Sequence, residues 1–191
     1  MADNRIVTKG KILSKKIEME YLQGENRDEI KFTSKQPPHA DLQAAFDALA
    51  VHSAFIGEFI GDDEVKIEKT KTKDQRHKYE AIRFSTPELS EEFTLTGFST
   101  HDEGNSVILT AHRTLSTGQV LNFNTPSVRA AAEGSAGYLY WQDLEDKIRA
   151  CQAELKMFLD GKTREEEKPV DNTIKMDFSQ SPEQAARIKG E

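Results

Sequence analysis

The sequence contains one cysteine and no long apolar run, and each of these absences excludes a class of protein. A single cysteine cannot form an intramolecular disulfide and fits a reducing compartment. No apolar run approaches the roughly 18 residues that a membrane-spanning helix needs. The opening segment MADNRIVTKGK lacks the apolar stretch of a secretory signal. We therefore expect a cytoplasmic protein that has no membrane partner.

The short motifs of common enzymes and nucleotide-binding proteins are also missing. The sequence has no G-x-S-x-G elbow, no H-E-x-x-H motif, no G-x-x-x-x-G-K-[ST] loop and no G-x-G-x-x-G fingerprint. The one thiol, Cys151, lies on a predicted helix seam, where a buried and inert side chain is expected. These absences favour a non-catalytic protein without a cofactor.

Apolar residues alternate with polar ones through much of the chain, and this period of two predicts β-strands. One strand is predicted from Lys11 to Tyr21, followed by a turn at residues 24–28 and a strand containing Ile30 and Phe32. Five more strands are expected around Val65 and Ile67, Ile82 and Phe84, Phe93 and Leu95, Val107 and Leu109, and Leu121 and Phe123. Their regular spacing is typical of an antiparallel meander.

Two segments have helical periodicity instead. In the first, Leu42, Ala45, Phe46, Leu49, His52, Ile56 and Phe59 share one side, and Gly61 is a plausible C-terminal cap. The second runs from Trp141 to Phe158 with apolar residues at alternating steps of three and four. The predicted fold class is therefore α+β, with a mostly antiparallel sheet of about seven strands and two helices.

The composition changes after Lys162. Residues 5–162 are expected to form a single α+β domain. Residues 163–191 contain few apolar residues and no period, so they cannot bury enough surface to offset the entropy of ordering them. We predict that they form a mobile, charged tail.

The region from Lys66 to Arg83 is basic in an acidic protein. It contains seven bases against three acids, whereas the whole chain has a net charge of −7. The bases are Lys66, Lys69, Lys71, Lys73, Arg76, Lys78 and Arg83. Local charge opposite to the global charge is expected where a polyanion is bound. This region, which we call the basic ribbon, predicts a contact with nucleic acid or another phosphate-bearing ligand.

Two readings of the basic ribbon remain open. Lysines two residues apart on a strand are spaced by about 6.6–6.8 Å, which is close to the phosphate rise along one nucleic-acid strand. Lysines on an exposed strand also protect its edge from aggregation, and that reading needs no ligand. The ribbon has one aromatic residue, Tyr79, so base stacking receives little support.

The seam of the second predicted helix also has two readings. Its apolar residues are Trp141, Leu144, Ile148, Cys151, Leu155 and Phe158. The helix packs either on its own sheet or against its twin in a homodimer. In the second case the chain would be a dimeric interaction protein that sequesters a protein or a small signalling molecule, with Trp141, Leu144, Ile148, Leu155 and Phe158 at the interface.

A third hypothesis is a metal-dependent hydrolase. His101 and Asp102 lie in a predicted loop, and His112 lies on the following strand. Pairing of the two strands would have to bring the two histidines together to form a site.

The predicted tail contains an apolar island from Thr173 to Phe178. It resembles the hexapeptide by which bacterial replication proteins bind the sliding clamp. Ile174, Met176 and Phe178 match the alternation of that motif, while Thr173 stands where the motif has glutamine. The resemblance implies a sliding clamp as a partner of the tail.

The whole chain resembles small uncharacterised proteins encoded by phages and other mobile elements. The resemblance is carried by the two-strand block from Phe93 to Pro126, which ends in LNFNTP, by the helix that begins with Tyr140 and Trp141, and by the charged tail. It implies a small binding protein that acts in DNA metabolism or counter-defence.

Overall fold

The computed structural model describes residues 5–13, 16–71, 77–132 and 136–162. These ranges contain nine strands: β1 (Ile6–Leu13), β2 (Lys16–Gln23), β3 (Asp28–Ser34), β4 (Val65–Lys71), β5 (Lys78–Phe84), β6 (Phe93–His101), β7 (Ser106–Thr114), β8 (Val120–Asn124) and β9 (Val128–Arg129). They also contain four α-helices: α1 (Ala40–Asp47), α2 (Ala50–Ile56), α3 (Pro87–Glu92) and α4 (Trp141–Leu159). No helix within the described ranges has the length and apolar character needed to cross a membrane.

The predicted fold class is confirmed, because the main element is a seven-stranded antiparallel sheet with helices. Six strands follow the order β3-β2-β1-β6-β7-β8, and β9 pairs with β7. β4 and β5 form a separate two-stranded ribbon. The sequence prediction counted β4 and β5 among the seven strands of the main sheet, and that part of the prediction is wrong. The basic ribbon is an appendage to the sheet and not a part of it.

The sheet has seven strands without β4 and β5 for two reasons: the predicted strand from Lys11 to Tyr21 is two strands, and β9 was not predicted. The chain reverses between Leu13 and Lys16, which are paired across β1 and β2. Ile12 and Ile17 are both buried on the two sides of the reversal. Because Ile12 and Ile17 are five residues apart, the alternation changes phase across the reversal, and one continuous strand could not bury both of them on the same face.

The first predicted helix is likewise two helices. It is interrupted at Ala48 and Leu49, where the backbone N–H of Leu49 bonds to the carbonyl of Phe46 three residues back. The second part, α2, ends at Gly57 and not at Gly61 as predicted. The apolar face was identified correctly, since Leu42, Phe46, Leu49, His52 and Ile56 are all buried.

α3 was not predicted, although the sequence contains the signal for it. Thr86 is the N-cap and its hydroxyl accepts the backbone N–H of Leu89, while Pro87 occupies the first helical position. Both residue types are favoured at a helix N-terminus. The short helix turns the chain from β5 into β6.

α4 packs on the chain's own sheet. Leu144, Ile148, Leu155 and Phe158 are at most 5% exposed, and Trp141 is half-buried against the same core. These side chains are enclosed by β1, β6, β7 and α1, so a second copy cannot reach them as a helix seam. The predicted interface residues therefore pack in the chain's own core, whereas homodimerisation itself stays a prediction. Cys151 is fully buried on this seam, as expected.

A smaller core joins the ribbon to the rest of the protein. It contains Ala50, Val51, Ala54, Ile60, Val65, Ile82, Phe93 and Tyr140. The rings of Phe84 and Phe93 stack with centroids 5.9 Å apart. The base of the ribbon is thus fixed against α2 and the start of β6, while the residues towards its tip are exposed.

The predicted tail, residues 163–191, lies outside the described residues. Its apolar positions Ile174, Met176 and Phe178 lie there too, so the mobile tail and the sliding-clamp contact stay predictions. Lys73 and Arg76 of the basic ribbon also lie outside the described residues.

Candidate binding site

The basic side chains of the ribbon are exposed wherever the structure describes them. Lys66, Lys69, Lys71, Lys78 and Arg83 all reach solvent. The described lysines among them form no ion pair with another described residue, whereas Arg83 Nε donates to Glu68 Oε2 at 3.0 Å. Within its described residues the ribbon therefore presents four exposed ammonium groups without a direct ion pair, of which Lys69 is opposite Glu80, and one guanidinium that is partly engaged.

The register of the ribbon distributes these bases over both of its faces. Lys71 is directly opposite Lys78, and Lys66 is directly opposite Arg83. Paired residues share a face, and residues at odd and even positions of a strand take opposite faces. Lys69, Lys71 and Lys78 are therefore on one face, and Lys66 and Arg83 are on the other. Lys69 and Lys71 share a face, as their spacing of two residues predicts, and Lys73, which the same spacing adds to that face, lies outside the described residues.

The second face opens onto a cleft at the base of the ribbon. Its volume is about 520 Å³, and its cationic lining residues are Lys66, Arg83 and Lys147. Ser85, Thr86 and Ser90 add hydroxyl groups, and Asp47 adds a carboxylate to the described lining. Two further carboxylates, of Glu68 and Asp143, pair with Arg83 and Lys147. We call this the basic cleft. Lys147 comes from α4 and was not among the predicted site residues.

Lys147 is held in the cleft wall by a fixed set of acceptors. Its Nζ donates to Asp143 Oδ2 at 2.8 Å and to the backbone carbonyl of Ile82 at 3.1 Å. Asp143 Oδ2 also accepts the backbone N–H of Ile82 at 2.9 Å. Two side chains of α4 thus satisfy both backbone groups of Ile82, as a neighbouring strand would.

His52 and Tyr138 complete this buried polar cluster. His52 is fully buried, with Nε2 at 3.1 Å from Asp143 Oδ2 and Nδ1 at 3.0 Å from the hydroxyl of Tyr138. One neutral tautomer satisfies both contacts: Nε2–H donates to the carboxylate, and the tyrosine hydroxyl donates to Nδ1. Lys147 Nζ lies 3.2 Å from Nε2, and in the other neutral tautomer Nε2 accepts from this ammonium while Nδ1–H donates to the tyrosine oxygen.

The charge states of the cluster follow from its burial. Burial lowers the pKa of His52 to about 4, against the opposing effect of the hydrogen bond to Asp143. Burial raises the pKa of Asp143, but the hydrogen bonds from His52 and Lys147 outweigh that effect and hold it at about 2. Burial also lowers the pKa of Lys147, which its contact with Asp143 opposes. At neutral pH the cluster therefore holds an ammonium–carboxylate pair beside a neutral imidazole.

This chemistry indicates a structural role for the histidine. A general base has to reach the proton that it removes, and His52 has no exposed surface. Tyr138 hydrogen-bonds His52, and burial raises the pKa of its hydroxyl well above the usual value, so it stays protonated. Of the cluster, Lys147 is the member that lines the basic cleft, with a side chain 20% exposed.

Another cluster, which contains possible metal ligands, joins the start of α1 to α4. His39, Asp41 and Glu154 place one ligand atom each within 4.8 Å of one another. The ammonium of Lys162 already lies between the two carboxylates, at 2.6 Å from Asp41 Oδ2 and 2.7 Å from Glu154 Oε2. His39 Nδ1 accepts the backbone N–H of Leu42, so the ring proton is on Nε2, the atom that faces Glu154. A protonated nitrogen offers no lone pair to a metal, and the cluster is an ion-pair network.

The histidines of the hydrolase hypothesis lie far apart. His101 is paired with Ser106 at one end of the β6–β7 hairpin, and His112 is paired with Thr94 towards the other end. Ser106 and His112 are six residues apart on β7, which is about 20 Å along a strand. The expectation that strand pairing joins the two histidines is wrong.

The residues that sequence reasoning missed are Asp143, Lys147 and Tyr138. Asp143 and Lys147 are four residues apart on one helix, a spacing typical of a surface ion pair. That signal indicates a helix face, and it gives no sign that the pair is turned inwards onto the backbone of β5. The contact depends on how α4 crosses the ribbon, which no local pattern encodes.

Compared with protein-family models, with curated proteins and with solved structures, the chain matches none of them. The resemblance to phage and mobile-element proteins stays a prediction.

Proposed function

We propose that this chain is a non-catalytic binding protein that contacts nucleic acid, or another phosphate-bearing ligand, through the basic ribbon. The observation that carries the proposal is the pairing of like charges. Lys71 faces Lys78 and Lys66 faces Arg83, whereas Lys69 faces Glu80 and Arg83 is also ion-paired with Glu68. Like charges directly opposite each other destabilise a β-ribbon. A polyanion bound against either pair would offset the repulsion between its two bases.

The pairing favours ligand binding over edge protection. Each strand of a two-stranded ribbon is an edge, so edge protection accounts for charged residues on both strands, but it does not need like charges directly opposite each other. The ribbon is also a projection whose base is packed and whose tip is exposed. Such a projection can follow a phosphate backbone without moving the core.

The experiment compares two double variants with the parent. Lys71→Glu with Lys78→Glu reverses two charges of the ribbon and keeps a like-charge pair, so the stability of the ribbon changes little. Lys31→Glu with Lys35→Glu makes the same change in net charge at exposed positions of β3 and its end. Fluorescence anisotropy with labelled single- and double-stranded DNA and RNA, at several salt concentrations, measures affinity.

The proposal predicts that the ribbon variant loses most of its affinity while the β3 variant keeps it. The parent should show a log–log salt slope of about −0.7 to −0.9 per neutralised phosphate, corresponding to three or more contacts. Absence of binding by the parent at low salt, where electrostatic attraction is strongest, would mean that the proposed function is wrong.

A further inference from the structure

β8 is an open edge of the main sheet. Among the described strands it pairs with β7 alone. All of its side chains are exposed except that of Phe123, which is partly buried. Val120 is 53% exposed and Leu121 is 42% exposed, so apolar surface accompanies the unpaired backbone. An edge of this kind is a template on which another strand can pair.

The hydrogen bonds that flank β8 show which of its backbone groups face outwards. Before the strand, the N–H of Leu115 bonds to the carbonyl of Gln119, and after it the N–H of Thr125 bonds to the carbonyl of Leu109. Hydrogen-bonded positions alternate along an antiparallel pair, so the odd-numbered residues of β8 bond to β7. The outward-facing N–H and C=O groups belong to the even-numbered residues Val120, Asn122 and Asn124.

The segment that contains β8 carries no charge. Residues 114–128 contain no Asp, Glu, Lys or Arg, although these types make up 31% of the chain, and no other uncharged stretch is as long. The opposite outer strand of the sheet, β3, contains Asp28, Glu29 and Lys31. Charged side chains protect an edge against pairing, and β8 lacks that protection. Two copies of this acidic chain can therefore meet at β8 without bringing like charges together at the edge.

The edge is complementary to itself. Two antiparallel copies of β8 would overlap most fully about a twofold axis through Asn122, because each outward-facing residue then meets another one. Asn122 would exchange both backbone hydrogen bonds with its own copy, and Val120 would lie opposite Asn124 of the second copy. Leu121 would lie opposite Phe123 of the second copy, an aliphatic–aromatic pair. Pro126, the next outward position, has no N–H and ends the pairing.

We propose that β8 is a homodimer interface, at which two copies of this chain pair edge to edge about a twofold axis through Asn122. The two seven-stranded sheets then form one continuous antiparallel sheet, and the exposed apolar side chains of β8 gain a partner. The inference goes beyond the proposed function and does not depend on it, since the interface needs no nucleic acid. Each dimer carries two basic ribbons.

Sedimentation velocity of the full chain over a range of concentrations tests the interface. The parent should form dimers that dissociate on dilution. Asn122→Lys places two ammonium groups at the axis and should weaken the dimer about tenfold or more, since like charges directly opposite each other are destabilising. Thr33→Lys makes the same change in charge at an exposed position of β3 and should leave the dissociation constant unchanged.

Three results of this measurement overturn the proposal. One is a parent that stays monomeric at millimolar concentration, which leaves the edge to a strand of another polypeptide. The others are a dimer that Asn122→Lys does not weaken and a dimer that both variants weaken equally. Circular dichroism of each variant verifies that it is folded.

A cysteine introduced at the axis tests the register. Asn122→Cys places two thiols across the axis at a Cα–Cα distance of about 5.5 Å, which a disulfide spans. Asn124→Cys is the matched control, because in this register its thiol lies opposite Val120. Under mild oxidation the first variant should form a covalent dimer and the second should not, and the native thiol of Cys151 is fully buried. Absence of the covalent dimer, or equal cross-linking of both variants, overturns the proposed interface.

Discussion

The carboxylate of Asp143 accepts the backbone N–H of Ile82 at 2.9 Å, although Asp143 lies on α4 and Ile82 lies on β5. Ile82 is directly opposite Ile67 in the ribbon, and its polar groups point away from β4 towards the helix. Lys147 donates to the carbonyl of the same residue. One helix thus caps the open edge of the ribbon by side-chain contacts, and the ribbon keeps a fixed orientation relative to the core.

The first prediction concerns the charge of Asp143. Asp143→Ala should destabilise the protein by about 3–5 kcal/mol, because it removes the anionic partner of the Lys147 ammonium and leaves the N–H of Ile82 without an acceptor. Asp146→Ala is the matched control on the same helix. It removes a hydrogen bond from Tyr79 at 2.8 Å that is only partly buried, and it should cost about 1 kcal/mol. Urea unfolding measures both, and equal costs would contradict the inward role of Asp143.

The second prediction concerns the loss of folding stability at acidic pH. The pKa of His52 is about 4 in the folded protein, below the ordinary 6.5, so the unfolded state binds more protons between these values. Stability should therefore fall as the pH drops from about 6.5 to about 4, by roughly 3 kcal/mol. The pKa of Asp143, about 2 against an ordinary 3.8, adds a further loss between those two values.

Unfolding in urea as a function of pH measures this effect. The variant His52→Gln should lack the slope between pH 6.5 and 4, whatever its stability at neutral pH. A parent protein whose stability is constant over that interval would show that His52 is not a buried neutral histidine.

The third prediction distinguishes the core face of α4 from its outer face. Ile148 is 4% exposed and Met157 is 40% exposed. Ile148→Ala should cost about 2–5 kcal/mol, because it removes a buried side chain and leaves a cavity. Met157→Ala should cost much less. Light scattering on both variants gives the association state, and a folded Ile148→Ala variant that changes only its association would contradict the packing of α4 on its own sheet.

The fourth prediction concerns the close approach of β1 to α4. A Cβ at Gly10 would lie 2.5 Å from Leu155 Cδ1 and 2.9 Å from Phe98 Cε1, both on buried side chains. Gly10→Ala should therefore destabilise the protein by about 1–3 kcal/mol through overpacking. The control is Ala153→Gly on the exposed face of α4, which also changes one methyl group. Gly118→Ala would not serve, because the positive φ of Gly118 adds backbone strain. A neutral Gly10→Ala would mean that Leu155 moves aside freely.

The sequence predicted the elements of the fold better than it predicted their connections. Periodicity located the buried residues of α1, α2 and α4, because helical spacing depends only on residue type. It missed the reversal between Leu13 and Lys16 and the break at Ala48, since neither contains glycine or proline.

For the candidate site too, the sequence predicted the exposed residues but not the tertiary contact that completes the site. The exposed bases of the ribbon were visible as a charge pattern, and five of the seven lie where the structure describes them as exposed. Lys147 belongs to the same cleft but is more than 60 residues away in the sequence. Its role depends on the contact between α4 and β5, and a single sequence carries no information on which helix meets which strand edge.

The capped edge at Ile82 also limits how the protein can combine with other polypeptides. A strand adds to a sheet only where backbone N–H and C=O groups are unpaired, and at Ile82 they are occupied by Asp143 and Lys147. An extended peptide that joins by β-augmentation is therefore directed to β4, on the far side of the ribbon, or to the outer strands β3 and β8 of the main sheet.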